Sequence, residues 1–121
     1  MASILVIDDE DLARDVLRAM LAAAGHDVRV SADGESGLQE YRGAPSDLVI
    51  ADMFMPGIDG IELIERLRAE APQAKVLFMS GGGQRDDRDV LEVARSVGAD
   101  HVLAKPFTRA ELLEAVDEVL S

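Results

Sequence analysis

Ile4-Leu5-Val6-Ile7-Asp8-Asp9-Glu10 sets four consecutive apolar residues against an abrupt cluster of acids. A continuous apolar run of that length suits a parallel strand covered on both faces, because neither face then needs the polar alternation of a solvated sheet. Beyond the acids, Ala13, Val16, Leu17, Met20, Leu21 and Ala24 recur at steps of three and four residues, and Gly25 follows. That spacing predicts a helix with one buried stripe, ended by a glycine that can take a left-handed turn.

The same strand and helix unit recurs along the chain. Short runs rich in Val, Ile and Leu predict further strands over residues 28–30, 48–51, 76–79 and 102–103. Between them, helices are expected over about residues 34–41, over 60–70, where Leu63, Ile64 and Leu67 precede the stop at Ala71 and Pro72, and over roughly 86–96. The last helix opens with Thr108 and Glu111 at capping-box spacing and carries the stripe Leu112, Leu113, Val116, Val119 and Leu120. No Pro, Gly and Ser rich linker or repeat interrupts the units, so residues 1–121 read as one α/β domain of (βα)5 type. Right-handed crossovers make it a doubly wound parallel sheet, with the flavodoxin-like strand order 2-1-3-4-5 as the expected arrangement. In such sheets ligands bind outside the carboxyl ends of the strands, beside the point where strand order reverses.

Composition narrows the function classes. The 121 residues carry 12 Lys plus Arg against 24 Asp plus Glu, a formal net charge of -12. A field of that sign repels phosphate backbones and anionic lipid, so neither direct nucleic-acid binding nor a membrane partner is expected. With no Cys there are no disulfides and no thiolate metal ligands, no secretory leader is recognisable, and no apolar run approaches the roughly 20 residues that cross a bilayer. The expectation is a soluble, cytoplasmic protein.

The strand ends supply the chemistry. Asp8 and Asp9 follow the first strand, Asp52 ends the third, Ser80 ends the fourth, and Lys105 comes after the fifth. Carboxylates brought close together repel, and a hard divalent cation with oxygen ligands relieves that repulsion, which points to Mg²⁺, with Mn²⁺ as a substitute. Mg²⁺ needs only one or two protein carboxylates, leaving an acid free to act as a nucleophile toward phosphorus. Lys105 is one of only two lysines among twelve basic residues, and a compact ammonium suits an anionic phosphoryl group. Taken singly, each residue has a plainer reading: Asp8 or Asp9 as a cap of the first helix, Asp52 as a loop acid before the Pro56-Gly57 turn, Ser80 as a small residue before Gly81, Gly82 and Gly83. Met53 and Met55 read as loop packing, His26 and His101 as surface or strand-edge residues, and the charged run over residues 85–89 as a solvated helix start.

In combination these pieces resemble a response-regulator receiver domain, the phospho-acceptor module of two-component signalling. The resemblance rests on Ile4 to Glu10, on Asp52-Met53-Phe54-Met55-Pro56-Gly57-Ile58-Asp59-Gly60, on Phe78-Met79-Ser80-Gly81, and on Gly98-Ala99-Asp100 leading to Lys105-Pro106-Phe107. It implies that Asp52 accepts the phosphoryl group, that Asp9 binds Mg²⁺ directly and Asp8 through water, and that the main-chain carbonyl of Phe54 completes the protein ligands. It further implies that Ser80 and Lys105 contact the phosphoryl oxygens, and that the Lys105-Pro106 peptide is a cis structural turn. The implied partners are a histidine kinase or histidine phosphotransfer protein docking near the first helix, and a downstream target protein meeting the fourth helix, fifth strand and fifth helix. The chain departs from the family pattern at Val102, where an aromatic residue is common, and Phe54 and Gly82 leave opposing expectations for phosphoryl lifetime.

The function expected is therefore a stand-alone phospho-acceptor module with no output domain after Leu120. It would switch protein binding or relay the group, and would assist only its own phosphorylation and dephosphorylation. Alternatives are a receiver excised from a larger regulator or hybrid kinase, a phosphorylation-independent interaction domain, and an aspartyl-phosphate phosphotransferase, which would need a substrate-gripping cap for which no insertion is long enough.

Overall fold

The structure is a computed structural model and describes residues 2–53, 55, 57–80, 92, 96 and 98–121. Five strands, β1 (Ser3–Ile7), β2 (Asp27–Ser31), β3 (Leu48–Asp52), β4 (Val76–Ser80) and β5 (His101–Ala104), form one sheet in the order β2-β1-β3-β4-β5. All four pairings are parallel. Four helices are described: α1 (Asp11–Ala23), α2 (Gly34–Gly43), α3 (Gly60–Glu70) and α4 (Arg109–Leu120). The helix expected over residues 86–96 and the charged run over 85–89 lie almost wholly outside the described residues. Of that segment only Glu92 and Ser96 are described, both helical and exposed.

The pleat divides the core in two. Leu5, Ile7, Val49, Ala51, Val76 and Phe78 join Leu38 and Tyr41 of α2 and Leu63, Ile64 and Leu67 of α3 on one face. Ile4, Val6, Leu48, Ile50, Leu77 and Met79 join Leu17 and Leu21 of α1 and Leu112, Ala115, Val116 and Val119 of α4 on the other. Successive side chains of a strand point to opposite faces, so a strand sandwiched between two helix layers is apolar at every position.

Local signals set the helix ends. Asp33 and Asp59 accept the amides of Ser36 (2.8 Å) and Glu62 (2.9 Å) as N-caps of α2 and α3. Thr108 and Glu111 form the expected reciprocal capping box. Gly25, with φ +96°, turns the chain after α1. Two details of the expected helix stripes are corrected. Val16 and Ala24 of α1 are exposed, because that part of the stripe lines a surface groove or lies past the helix end. In α4, Ala115 takes a buried place while Leu113 and Leu120 are only partly covered.

Candidate functional site

The pleat that builds the core also aims the site. Asp8 lies one residue past Ile7 and so continues the parity of Ile4 and Val6. Asp52 continues Leu48 and Ile50 and pairs with Met79, and Lys105 continues Leu103. All three therefore stand on the α1 and α4 side, at the carboxyl ends of β1, β3 and β5, with the reversal of strand order between β1 and β3. Ser80 follows the parity of Val76 and Phe78 instead, the α2 and α3 side.

Carboxylate oxygens of Asp8, Asp9 and Asp52 lie within 4.8 Å of one another. Asp8 is fully buried and Asp52 nearly so, whereas Asp9 is exposed. The Lys105 ammonium donates to Asp52 Oδ2 at 2.9 Å and stands 3.5 Å from Asp8 Oδ2, an ion pair too long for a good hydrogen bond. Asp8 Oδ1 accepts the Glu10 amide at 2.9 Å, while its Oδ2 is buried with no hydrogen-bond partner among the described residues. Burial pushes the Asp8 carboxyl above the usual aspartate range. The Glu10 amide and the Lys105 charge work against that rise, and the Asp52 and Asp9 charges add to it. Burial acts to lower the Lys105 pKa, but the hydrogen bond to Asp52 and the charges of Asp52 and Asp8 outweigh it and hold it above the ordinary lysine value.

The main chain around these groups is closely tied. Asp8 N donates to Ser31 O at 3.1 Å, Met53 N to Met79 O at 3.0 Å, and Lys105 N to Ser80 O at 2.7 Å. The Lys105-Pro106 peptide is cis, as the resemblance implies. Gly60 N donates to Met53 O at 2.9 Å, and a Cβ at Gly60 would fall 2.6 Å from Phe78 Cε1 and 2.8 Å from Asp52 O. Only a residue without a side chain lets α3 start this close to the end of β3.

Of the residues singled out in the sequence, Asp8, Asp9, Asp52 and Lys105 are thus brought together. Ser80 is fully buried with its hydroxyl unpartnered among the described residues, adjoining Lys105 through the backbone. Phe54 and the glycines at 81–83 lie outside the described residues. Neither Asp8 nor Asp9 is the N-cap of α1: Glu10 holds that position, and its side chain makes no capping bond. Met53 and Met55 pack in the core. His26 Nδ1 accepts the Ala2 amide at 3.3 Å, and His101 Nδ1 faces Glu118 of α4 at 3.7 Å, across the sheet from Val102, which packs on the α2 and α3 side.

Two residues escaped the sequence reading. Arg14 reaches back from α1 to donate to the Asp8 main-chain carbonyl at 2.7 Å. Asp100 Oδ2 accepts both the Val76 amide at 2.7 Å and Arg68 of α3 at 2.8 Å, locking the start of β4 to the turn before β5. Asp100 stood inside a motif already noted, just before a strand, and that position was the available signal. Arg14 gave none beyond its place one turn into α1.

Three clustered acids, all hard oxygen donors and one with a stranded buried oxygen, fit a small divalent cation better than they fit an unliganded protein interior. Comparison with known proteins agrees with this fold. Residues 4–117 match the family described as the response regulator receiver domain. The transcriptional regulatory protein AfsQ1 of Streptomyces coelicolor is 38% identical over 106 residues, covering 88% of this chain and 45% of that protein. The chain spans about half the length of the curated relatives it matches. Among solved structures, a receiver domain protein from Clostridium thermocellum superposes with TM-score 0.91 at 30% identity, covering 99% of this chain and 94% of that one. Chemotaxis protein CheY4 of Vibrio cholerae gives TM-score 0.88 at 29% identity over 99% of both chains. The chain belongs to the response regulator receiver domain family of two-component signalling.

Proposed function

We propose that Asp52 accepts a phosphoryl group from a phosphohistidine on a histidine kinase or histidine phosphotransfer protein, and that the modified domain changes its affinity for a downstream protein. The observation that carries this reading is the convergence of the Asp8, Asp9 and Asp52 carboxylates beside the Lys105 ammonium. A carboxylate oxygen of Asp52 forms the new bond to phosphorus as the phosphorus–nitrogen bond to the donor imidazole breaks, and the departing imidazole keeps the bonding pair and takes a proton from water. Lys105, already paired with Asp52, follows the charge onto the phosphoryl oxygens and stabilises it there. Asp8, Asp9 and Asp52, with the main-chain carbonyl of Phe54 by family resemblance, would hold Mg²⁺ or its substitute Mn²⁺. That ion supplies neutralisation of the acids and of the phosphoryl oxygens.

A groove of about 500 Å³ between α1 and the start of α4, lined by Ala13, Val16, Met20 and Phe107, runs up to Lys105. With the exposed Val16 among its walls, it offers the donor an apolar seat whose far end is the lysine paired with the acceptor. Ser80 is buried at the neighbouring end of β4, where its main-chain carbonyl accepts the Lys105 amide. Its hydroxyl, drawn toward the new dianion, would shift the segment that follows it and so bias partner binding. The domain promotes its own modification and hydrolysis and turns over no separate substrate. It works by protein contacts, in the cytoplasm, without a nucleic-acid surface of its own. Among the described residues no helix is long and apolar enough to cross a membrane.

Incubation with a small-molecule phosphodonor, followed by intact mass, tests the reading. Wild type gains one phosphoryl group when Mg²⁺ is supplied, and Asp52→Asn does not. Equal addition to both proteins would reject Asp52 as the acceptor.

A further inference from the structure

Asp9 is the exposed member of the acid cluster, and its carboxylate makes no hydrogen bond with the described residues. Its direction must therefore come from its backbone. The usual device for fixing a strand-to-helix junction is missing, since the N-cap Glu10 makes no side-chain bond to the first turn of α1. Two other contacts take its place. Asp8 Oδ1 accepts the Glu10 amide, and Arg14, with only 16% of its side chain exposed, donates from one arm of its guanidinium to the Asp8 carbonyl at 2.7 Å. The other arm pairs with Asp11. The carbonyl gripped by Arg14 belongs to the peptide that joins Asp8 to Asp9.

We propose that Arg14 is a positioning residue for the metal-binding acids, fixing the Asp8–Asp9 peptide so that the Asp9 carboxylate faces Asp8 and Asp52. This rests on the reading of the acid cluster as a Mg²⁺ site. Arginine suits the task because its planar fork serves two acceptors at once in fixed directions. Its positive charge is answered by Asp11 and not by the cluster, so it orders the ligands without competing for them as Lys105 does. Outer groups that orient metal ligands commonly set affinity by an order of magnitude or more.

The test is Mg²⁺ affinity of the unphosphorylated full chain by titration calorimetry, with folding stability measured in the absence of Mg²⁺. Arg14→Ala is expected to weaken Mg²⁺ binding by about tenfold. Arg14→Lys, which keeps the charge and one donor for the carbonyl, is expected to fall between it and wild type. If Arg14→Ala fails to fold, Arg14→Lys and Asp11→Asn, which frees one arm of the fork, carry the comparison, both expected to bind more weakly than wild type. Loss of metal-free stability with wild-type Mg²⁺ affinity in every folded variant would overturn the proposal and leave Arg14 a purely structural tie. Absence of Mg²⁺ binding to wild type itself would instead overturn the reading of the acid cluster, and the proposal with it.

Discussion

Replacing Asp8 by Asn should stabilise the metal-free domain near neutral pH, although it removes half of an ion pair. Asp8 is fully buried, one of its oxygens has no hydrogen-bond partner among the described residues, and Asp52 and Asp9 press further negative charge on it. Lys105 offsets this only in part, because its hydrogen bond goes to Asp52 at 2.9 Å and Asp8 stands at 3.5 Å. Asn keeps the oxygen that accepts the Glu10 amide, and Lys105 keeps Asp52, so the change strands neither partner. A buried polar oxygen left without a partner costs roughly 1–3 kcal/mol, and the gain on neutralising it should be about 1–2 kcal/mol. For a domain of this size that raises the thermal midpoint by roughly 3–6 °C per kcal/mol.

The pH dependence has a definite sign. The folded-state pKa of Asp8 is raised, so the native chain holds this proton more tightly than the unfolded chain does. The stability it contributes is complete below the ordinary aspartate pKa and is lost as pH rises through the raised folded value. Urea unfolding of both proteins across pH should therefore give a gap that opens through that window and closes below it. A variant less stable than wild type by 1 kcal/mol or more at pH 7 without Mg²⁺ would refute the picture of an under-compensated acid cluster.

Mg²⁺ should raise the stability of wild type by mass action, about 2.7 kcal/mol at one hundred times its dissociation constant, and thermal scans of Asp9→Ala should show most of that gain gone. Stability unchanged at millimolar Mg²⁺ would count against the metal site. Gly60→Ala must push a methyl against Phe78 and the Asp52 carbonyl, so a loss of about 1–3 kcal/mol by urea unfolding is expected, with slower phosphorylation in the folded fraction. A neutral effect would show that α3 can withdraw from β3 at no cost. Asp100→Ala leaves the Val76 amide and Arg68 without their shared acceptor and should cost roughly 1–3 kcal/mol, read in the same assay. Wild-type stability there would mean the lock at the start of β4 is redundant.

The fold was legible because the central strands β1, β3 and β4 are covered on both sides. Ile4 to Ile7 and Val76 to Met79 announce themselves as unbroken apolar runs, and α3 lies over the residues its spacing predicts. Strand ends were read short because Asp27, Ser31 and His101 share the hydrogen-bond ladder while carrying polar side chains, which patterning cannot see. Val16 was misjudged for a related reason: helical spacing reports which face is apolar, but not whether a neighbour covers it. The site was legible from position, since polar residues at the carboxyl ends of parallel strands face one edge of the sheet, and the pleat parity that aims Asp8, Asp52 and Lys105 to one side became visible only with the strand bounds. The contacts of Arg14 and Asp100 depend on a guanidinium folding back over one helical turn and on a loop meeting a strand 24 residues earlier in the chain. No periodicity encodes either.

The central claim is that the phosphoryl group resides on Asp52. Borohydride reduces an aspartyl phosphate to homoserine, so treating the protein after exposure to phosphodonor and Mg²⁺, then mapping peptides by mass, marks the acceptor directly. Homoserine at position 52 alone is the result the site predicts, whereas label at Asp8, Asp9 or a histidine with position 52 untouched would contradict it.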